Sequence, residues 1–160
     1  MLIGYCWLLC DKIAKELSKE SVITKEAIYK DAIKQIGSFE PMIIEEKAYE
    51  NFKRIWEKQG LGFLVNEVSR KDKCIKVHCY YGSSTYDSKE MSLLISLLVE
   101  LAESLNIETK SQQEINSLLE SWNKNEKIKK RIDRNYKRAR KENERFKKSL
   151  RNLHHNRKRT

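Results

Sequence analysis

The chain has 160 residues with a formal net charge of +10, 35% of them charged and 39% hydrophobic, and only one proline and five glycines. That length suits one domain plus an appendage, or one elongated domain. The glycine and proline content is too low for a flexible or low-complexity chain, and no stretch approaches the apolar length that crosses a bilayer.

The charge is unevenly spread. From Asn123 to Thr160 there are 17 lysines and arginines against 4 carboxylates, which leaves 16 against 19 in residues 1–122. A mildly acidic body (1–122) followed by a strongly basic tail (123–160) points to a nucleic acid or another acidic partner. A solvated charged helix without a partner shares the same pattern.

The apolar run Leu2–Cys10 has no basic residues before it, and Asp11-Lys12 follows at once, so it does not read as a secretion signal. A cytoplasmic location is expected. Leu2, Cys6, Leu9, Ile13 and Leu17 recur at helical spacing, and Trp7 and Leu8 widen the stripe toward deep burial or a partner surface. Thr24 suits the N-cap of a second helix ending near Ile36, with Ile28, Ala32, Ile33 and Ile36 inward and Gly37 as its C-terminal stop. Pro41-Met42-Ile43-Ile44 reads as a short strand. A third helix follows from Glu45, with Tyr49, Phe52, Ile55 and Trp56 inward and Gly60 at its end.

Gly62–Val68 and Cys74–Tyr81 read as two strands that pair antiparallel through the polar segment Arg70–Lys73. Ser88–Leu105 is the clearest helix, with Met91, Leu94, Ile95, Leu98, Leu101, Ala102 and Leu105 as its core stripe. Leu93 and Leu97 lie off that stripe and hint at burial on a second side. Ser111-Gln112-Gln113-Glu114 matches a capping box, opening a helix that carries Ile115, Leu118, Leu119 and Trp122. The tail beyond is rich in helix formers. Ile132, Tyr136, Ala139, Phe146, Leu150 and Leu153 alternate at spacings of three and four, with Asn143 in the gap, which makes a short and weak heptad seam. The expected fold is α+β: helices packed on a small antiparallel sheet, followed by a long basic C-terminal helix.

Little in the chain points to catalysis. Cys6 and Cys10 share a helix face, Cys74 and Cys79 lie on opposite faces of a strand, and no Cys-x-x-Cys or Cys/His array exists to hold zinc. Buried cysteines in a reducing compartment account for them. His78 reads as a structural strand residue. His154-His155-Asn156 resembles part of a metal-nuclease set but lacks partner carboxylates. There is no glycine-rich phosphate loop and no nucleophile elbow. No enzyme activity, cofactor or metal is expected.

Two segments suit binding. Lys129, Lys130, Arg131, Arg134, Lys137, Arg138, Arg140 and Lys141 gather on the first part of the tail helix, where they would neutralise phosphates and make binding salt-sensitive. DNA, RNA or an acidic protein fits that signal equally. Tyr81, Ser83, Ser84 and Thr85 fall in the turn Tyr80–Asp87 before a helix N-terminus, a place suited to a phosphate, with tyrosines nearby to stack on bases. Spacing alone favours a plainer arrangement, in which Asp87 or Ser88 caps the helix and the tyrosines fill the core.

The run Tyr80-Tyr81-Gly82-Ser83-Ser84-Thr85-Tyr86-Asp87-Ser88-Lys89-Glu90-Met91, the loop Asn106-Ile107-Glu108-Thr109 and the capped helix ending at Trp122 together resemble the C-terminal half of the NinB/Orf-like family of phage recombination proteins. Its turn pattern corresponds to Gly82, Ser84 and Thr85, and Trp7 matches a tryptophan of its first helix. The resemblance spans residues 4–122. Ile3 stands where the family has asparagine, the family's N-terminal strand region has no counterpart here, and the basic tail is extra. The resemblance implies a non-catalytic recombination mediator that binds single-stranded DNA as a homodimer, with the host single-strand-binding protein as a further partner and no membrane association. The alternatives are a metal-dependent nuclease using the tail histidines and an assembly protein that pairs through a coiled-coil tail.

Overall fold

The computed structural model describes the backbone of residues 1–157 and the side chains of residues 1–148. The chain divides into two compact units, Met1–Trp122 and the segment from Asn123 onward. Among the described residues five helices and three strands follow in the order α1 (Leu2–Leu17), α2 (Lys25–Ile36), β1 (Phe39–Glu45), α3 (Glu46–Glu57), β2 (Leu64–Lys71), β3 (Cys74–Tyr80), α4 (Ser88–Ser104) and α5 (Gln112–Arg157). A single 3-10 turn, Ser83–Thr85, precedes α4. The class is α+β, as expected from the sequence. No helix among the described residues is long and apolar enough to cross a membrane.

Local chemistry sets the element boundaries. The Thr24 hydroxyl accepts from the Ala27 N–H at 3.2 Å and opens α2. Asp87 and Glu90 form a reciprocal capping box at α4, and Ser111 and Glu114 do the same at α5. α4 closes with Asn106 in the left-handed region (φ 58°). The Ile107 N–H then reaches the Ala102 carbonyl at 3.0 Å and the Asn106 N–H the Glu103 carbonyl at 3.0 Å, so two end carbonyls are satisfied. Between β2 and β3 the turn is the two residues Asp72 and Lys73, both at positive φ (53° and 59°), the twist a tight hairpin requires. The Lys73 carbonyl in turn accepts from the Glu46 N–H at 2.9 Å, which anchors the start of α3.

The sheet order is β1-β3-β2, antiparallel throughout, with β3 central. On one face Ile75, Val77 and Cys79 of β3, with Met42, Ile44 and Val65, pack under Tyr49, Phe52 and Trp56 of α3. A second, larger core lies among α1, α2, α4 and the first turns of α5, and takes in Leu64 and Tyr80 from the strands. Leu9, Ile13, Ile33, Met91, Leu94, Ile95 and Leu98 are essentially solvent-free within it.

Three expectations need correction. Gly37 is extended (ψ 149°), so α2 does not end in a left-handed cap. Glycine is needed there because a Cβ would stand 2.6 Å from the Tyr86 hydroxyl and against the Ile33 carbonyl. Ile55 does not face inward but is 58% exposed, because α3 covers only a narrow sheet and buries only one stripe. Leu93 is likewise 50% exposed, since α4 packs on one side.

Replacing Leu98→Ala deletes buried methyl groups from the most enclosed part of the larger core. It is expected to lower the unfolding free energy by about 2–5 kcal/mol. Urea unfolding checks this; a loss below about 1 kcal/mol would mean that this core is loosely packed.

Candidate nucleic-acid interface

The Tyr80–Asp87 turn adopts the plainer of its two arrangements. Ser83 is buried, and its hydroxyl lies 2.5 Å from the Tyr29 hydroxyl, which also accepts from the Ser83 N–H at 3.2 Å. Thr85 donates its hydroxyl to the Gly82 carbonyl at 2.8 Å. Of the predicted turn residues, Ser84 and Thr85 are exposed and Ser83 is enclosed. Tyr80 and Tyr86 are core residues. Tyr81 is half-buried, its ring 5.4 Å from that of Trp56 and 6.4 Å from that of Phe63. Its hydroxyl donates to the Glu40 carboxylate at 3.4 Å. Burial, then the Glu40 charge, holds the Tyr81 pKa above the ordinary phenol value.

The N-terminus of α4 is already occupied by carboxylates. Asp87 accepts from the Glu90 N–H at 2.9 Å, and Glu90 accepts from the Asp87 N–H at 3.0 Å and from the Ser38 hydroxyl. Two negative groups at the donors a phosphate would use repel a phosphate. Ser83 is consumed inside the fold and Thr85 bonds the Gly82 carbonyl, while Ser84 stays exposed.

The tail helix has a more ordered charge pattern than its composition shows. At about 100° per residue, Lys130, Arg131, Arg134, Lys137, Arg138 and Lys141 fall within an arc of about 120° on one side of α5. Lys127 and Arg145 extend the same band. Arg134, Lys137, Arg138, Lys141 and Arg145, with Glu142, frame one shallow surface groove. On the opposite side lie Ile128, Ile132, Tyr136 and Phe146, exposed by 56%, 62%, 68% and 63%. Lys129 and Arg140, predicted with the other cations, flank this apolar stripe instead. Local ion pairs thread the band, Lys130 to Glu126 at 2.5 Å, Lys137 to Asp133 at 2.8 Å and Arg138 to Glu142 at 3.3 Å. The exposed pairs Lys137–Asp133 and Arg138–Glu142 hold little energy.

Leu150, Leu153, His154 and His155 lie outside the residues whose side chains are described. Among the described residues no group of three or more histidine, cysteine or carboxylate side chains is placed to hold a metal ion. The cysteines are free. Burial pushes the Cys6 and Cys10 thiols up to about 12, and raises that of Cys79 as well. Sequence reasoning missed the pair Phe39 and His78, whose rings stack at 4.1 Å on the open side of the sheet. The signal was present in the alternation Phe39, Pro41, Ile43 against Met42, Ile44.

Comparison with known protein families, with characterised proteins and with solved structures finds no match to this chain.

Two measurements test this arrangement. The Tyr86 hydroxyl is buried without a hydrogen-bond partner, and its pKa is raised by that burial. Tyr86→Phe is expected to leave stability unchanged or raise it; a loss above about 1 kcal/mol in urea unfolding would reveal a hydrogen bond at that oxygen. In the native protein a thiol reagent should label half-exposed Cys74 well before the buried Cys6, Cys10 and Cys79. Cys74→Ser should remove that fast phase; its survival would mean that another cysteine is open to solvent.

Proposed function

We propose that this chain is a nucleic-acid-binding accessory protein that works without catalysis, prefers single-stranded DNA and holds the phosphate backbone on the cation band of α5. The observation that carries the reading is the segregation of that band from the apolar stripe. Lys127, Lys130, Arg131, Arg134, Lys137, Arg138, Lys141 and Arg145 share one side of a helix segment about 27 Å long, at about 1.5 Å per residue, with Lys129 and Arg140 off that side. Cations in such a row neutralise successive phosphates and release their counterions. A merely solvated helix needs no such sorting.

Single-strand preference, a role in phage recombination and the host single-strand-binding protein as partner extend the reading on the resemblance of residues 4–122 to the NinB/Orf-like family. A homodimer fits the same helix. Two copies that met along Ile132, Tyr136 and Phe146 would bury apolar surface and keep both cation bands outward.

The test is fluorescence anisotropy of a labelled oligonucleotide, single-stranded and duplex, across a salt series. The full chain is compared with the variant K130Q/R134Q/K137Q/R138Q/K141Q. Each cation withdrawn from a phosphate of a single strand makes the slope of log K against log salt shallower by about 0.7. The five-site variant should therefore be shallower by up to about 3.5. An unchanged slope would remove the band from the interface. Tighter binding of the duplex would overturn the single-strand preference.

A further inference from the structure

The sheet face turned away from α3 carries a distinct set of side chains. By alternation from the buried Ile75, Val77 and Cys79, it presents Lys76, His78 and Tyr80 on β3. The register pairs these with Ile43, Pro41 and Phe39 on β1. Tyr80 and its β2 partner Leu64 belong to the helical core, but Phe39, Ile43 and Lys76 remain exposed. Phe39 is 42% exposed and Ile43 75%; Lys76 is exposed and His78 half-buried. The Phe39 ring lies nearly parallel to the His78 imidazole, at 4.1 Å and 19°, and leans on Tyr80 at 5.3 Å. A large apolar ring is thus held in one orientation while still presenting surface to water.

We propose that this face is a base-stacking platform for single-stranded nucleic acid, with Phe39, backed by His78, receiving a base and Lys76 the neighbouring phosphate. The proposal rests on the nucleic-acid reading of the chain and assigns its base contact to the sheet instead of the Tyr80–Asp87 turn.

Charge favours this occupant. Lys76 stands next to the aromatic pair, and Lys71 lies on the same face by register with Cys74. Glu45, the carboxylate at the far end, is ion-paired with Lys47 at 3.1 Å. A protein partner fits less well, because interface centres are depleted of lysine and Lys76 sits in the middle of this face. Addition of a peptide strand is disfavoured at both edges. β1 carries Pro41, which has no N–H to offer, and β2 is broken by an irregularity between Glu67 and Ser69. A stacked aromatic beside a cation accepts any base, since every base has a π-face.

The test uses the full chain with two labelled probes of equal length, an oligothymidylate and an abasic deoxyribose-phosphate strand. The wild-type chain should bind the base-bearing strand at least about five-fold more tightly. Phe39→Leu should erase that ratio and keep the salt slope, whereas Phe39→Tyr, which retains a ring, should keep both. Lys76→Gln should weaken binding of both strands alike. Equal affinity of the wild-type chain for the two strands would overturn the platform and leave the phosphate-binding reading standing. So would a ratio that survives Phe39→Leu. Absence of binding to either strand would overturn both.

Discussion

The Tyr29 hydroxyl is the joint on which the first unit depends. It sits against the Ser83 hydroxyl at 2.5 Å and accepts the Ser83 N–H at 3.2 Å, so a residue of α2 holds the exit of β3. The Trp7 ring stacks on Tyr29 at 4.7 Å and brings α1 to the same point. Two loops close over it without room for side chains. A Cβ on Gly62 would stand 2.9 Å from the Tyr29 ring, and one on Gly82 would stand 2.8 Å from the Phe63 ring. Removing the Tyr29 hydroxyl would leave the buried Ser83 hydroxyl and N–H without this partner, at a cost of about 1–3 kcal/mol. The joint also explains why Ser83 faces inward, although in sequence it stands among hydroxyls that would suit a ligand.

Around that joint the unit keeps two separate apolar cores. The helical core is large and enclosed, while the sheet core is a thin layer between three strands and α3. A narrow sheet under a single amphipathic helix covers one face only. The other face is therefore left to water at Phe39, Ile43 and Lys76, and a single strand of nucleic acid is the proposed occupant.

Charge is sorted in the same economical way. Some carboxylates of the first unit cap helix starts. Asp87 and Glu90 close α4, and Glu114 closes α5, its pKa lowered first by the Ser111 N–H and then by the Ser111 hydroxyl. Since that pKa is depressed in the folded chain, the cap is present above the ordinary carboxylate range and weakens as pH falls through the depressed value. The cations of the tail are gathered on one side of α5. In the proposed function the band supplies salt-dependent affinity and the sheet face supplies contact with bases, so the two contributions respond to different substitutions.

Periodicity, turn and cap chemistry were enough to find the helices, the β2–β3 hairpin, the Thr24 and Ser111 caps and the basic tail helix, and to narrow the α4 cap to Asp87 or Ser88, because each depends on residues close in sequence. Of the tail cations named from the sequence, Lys130, Arg131, Arg134, Lys137, Arg138 and Lys141 share one side of the helix, while Lys129 and Arg140 do not. What spacing alone could not decide was which face finds a partner. Ile55 and Leu93 have core-like identities but no neighbour to cover them. Gly37 marks the end of α2 for a reason that lies in Tyr86, far along the chain. The role of Ser83 was decided by Tyr29, 54 residues away. The pairing of Phe39 with His78 likewise exists only because β1 and β3 lie side by side. Local hydrogen bonding and amphipathic period thus set the elements and the charge of the tail. Packing between distant segments alone determined which hydroxyls are consumed inside and which rings remain available outside.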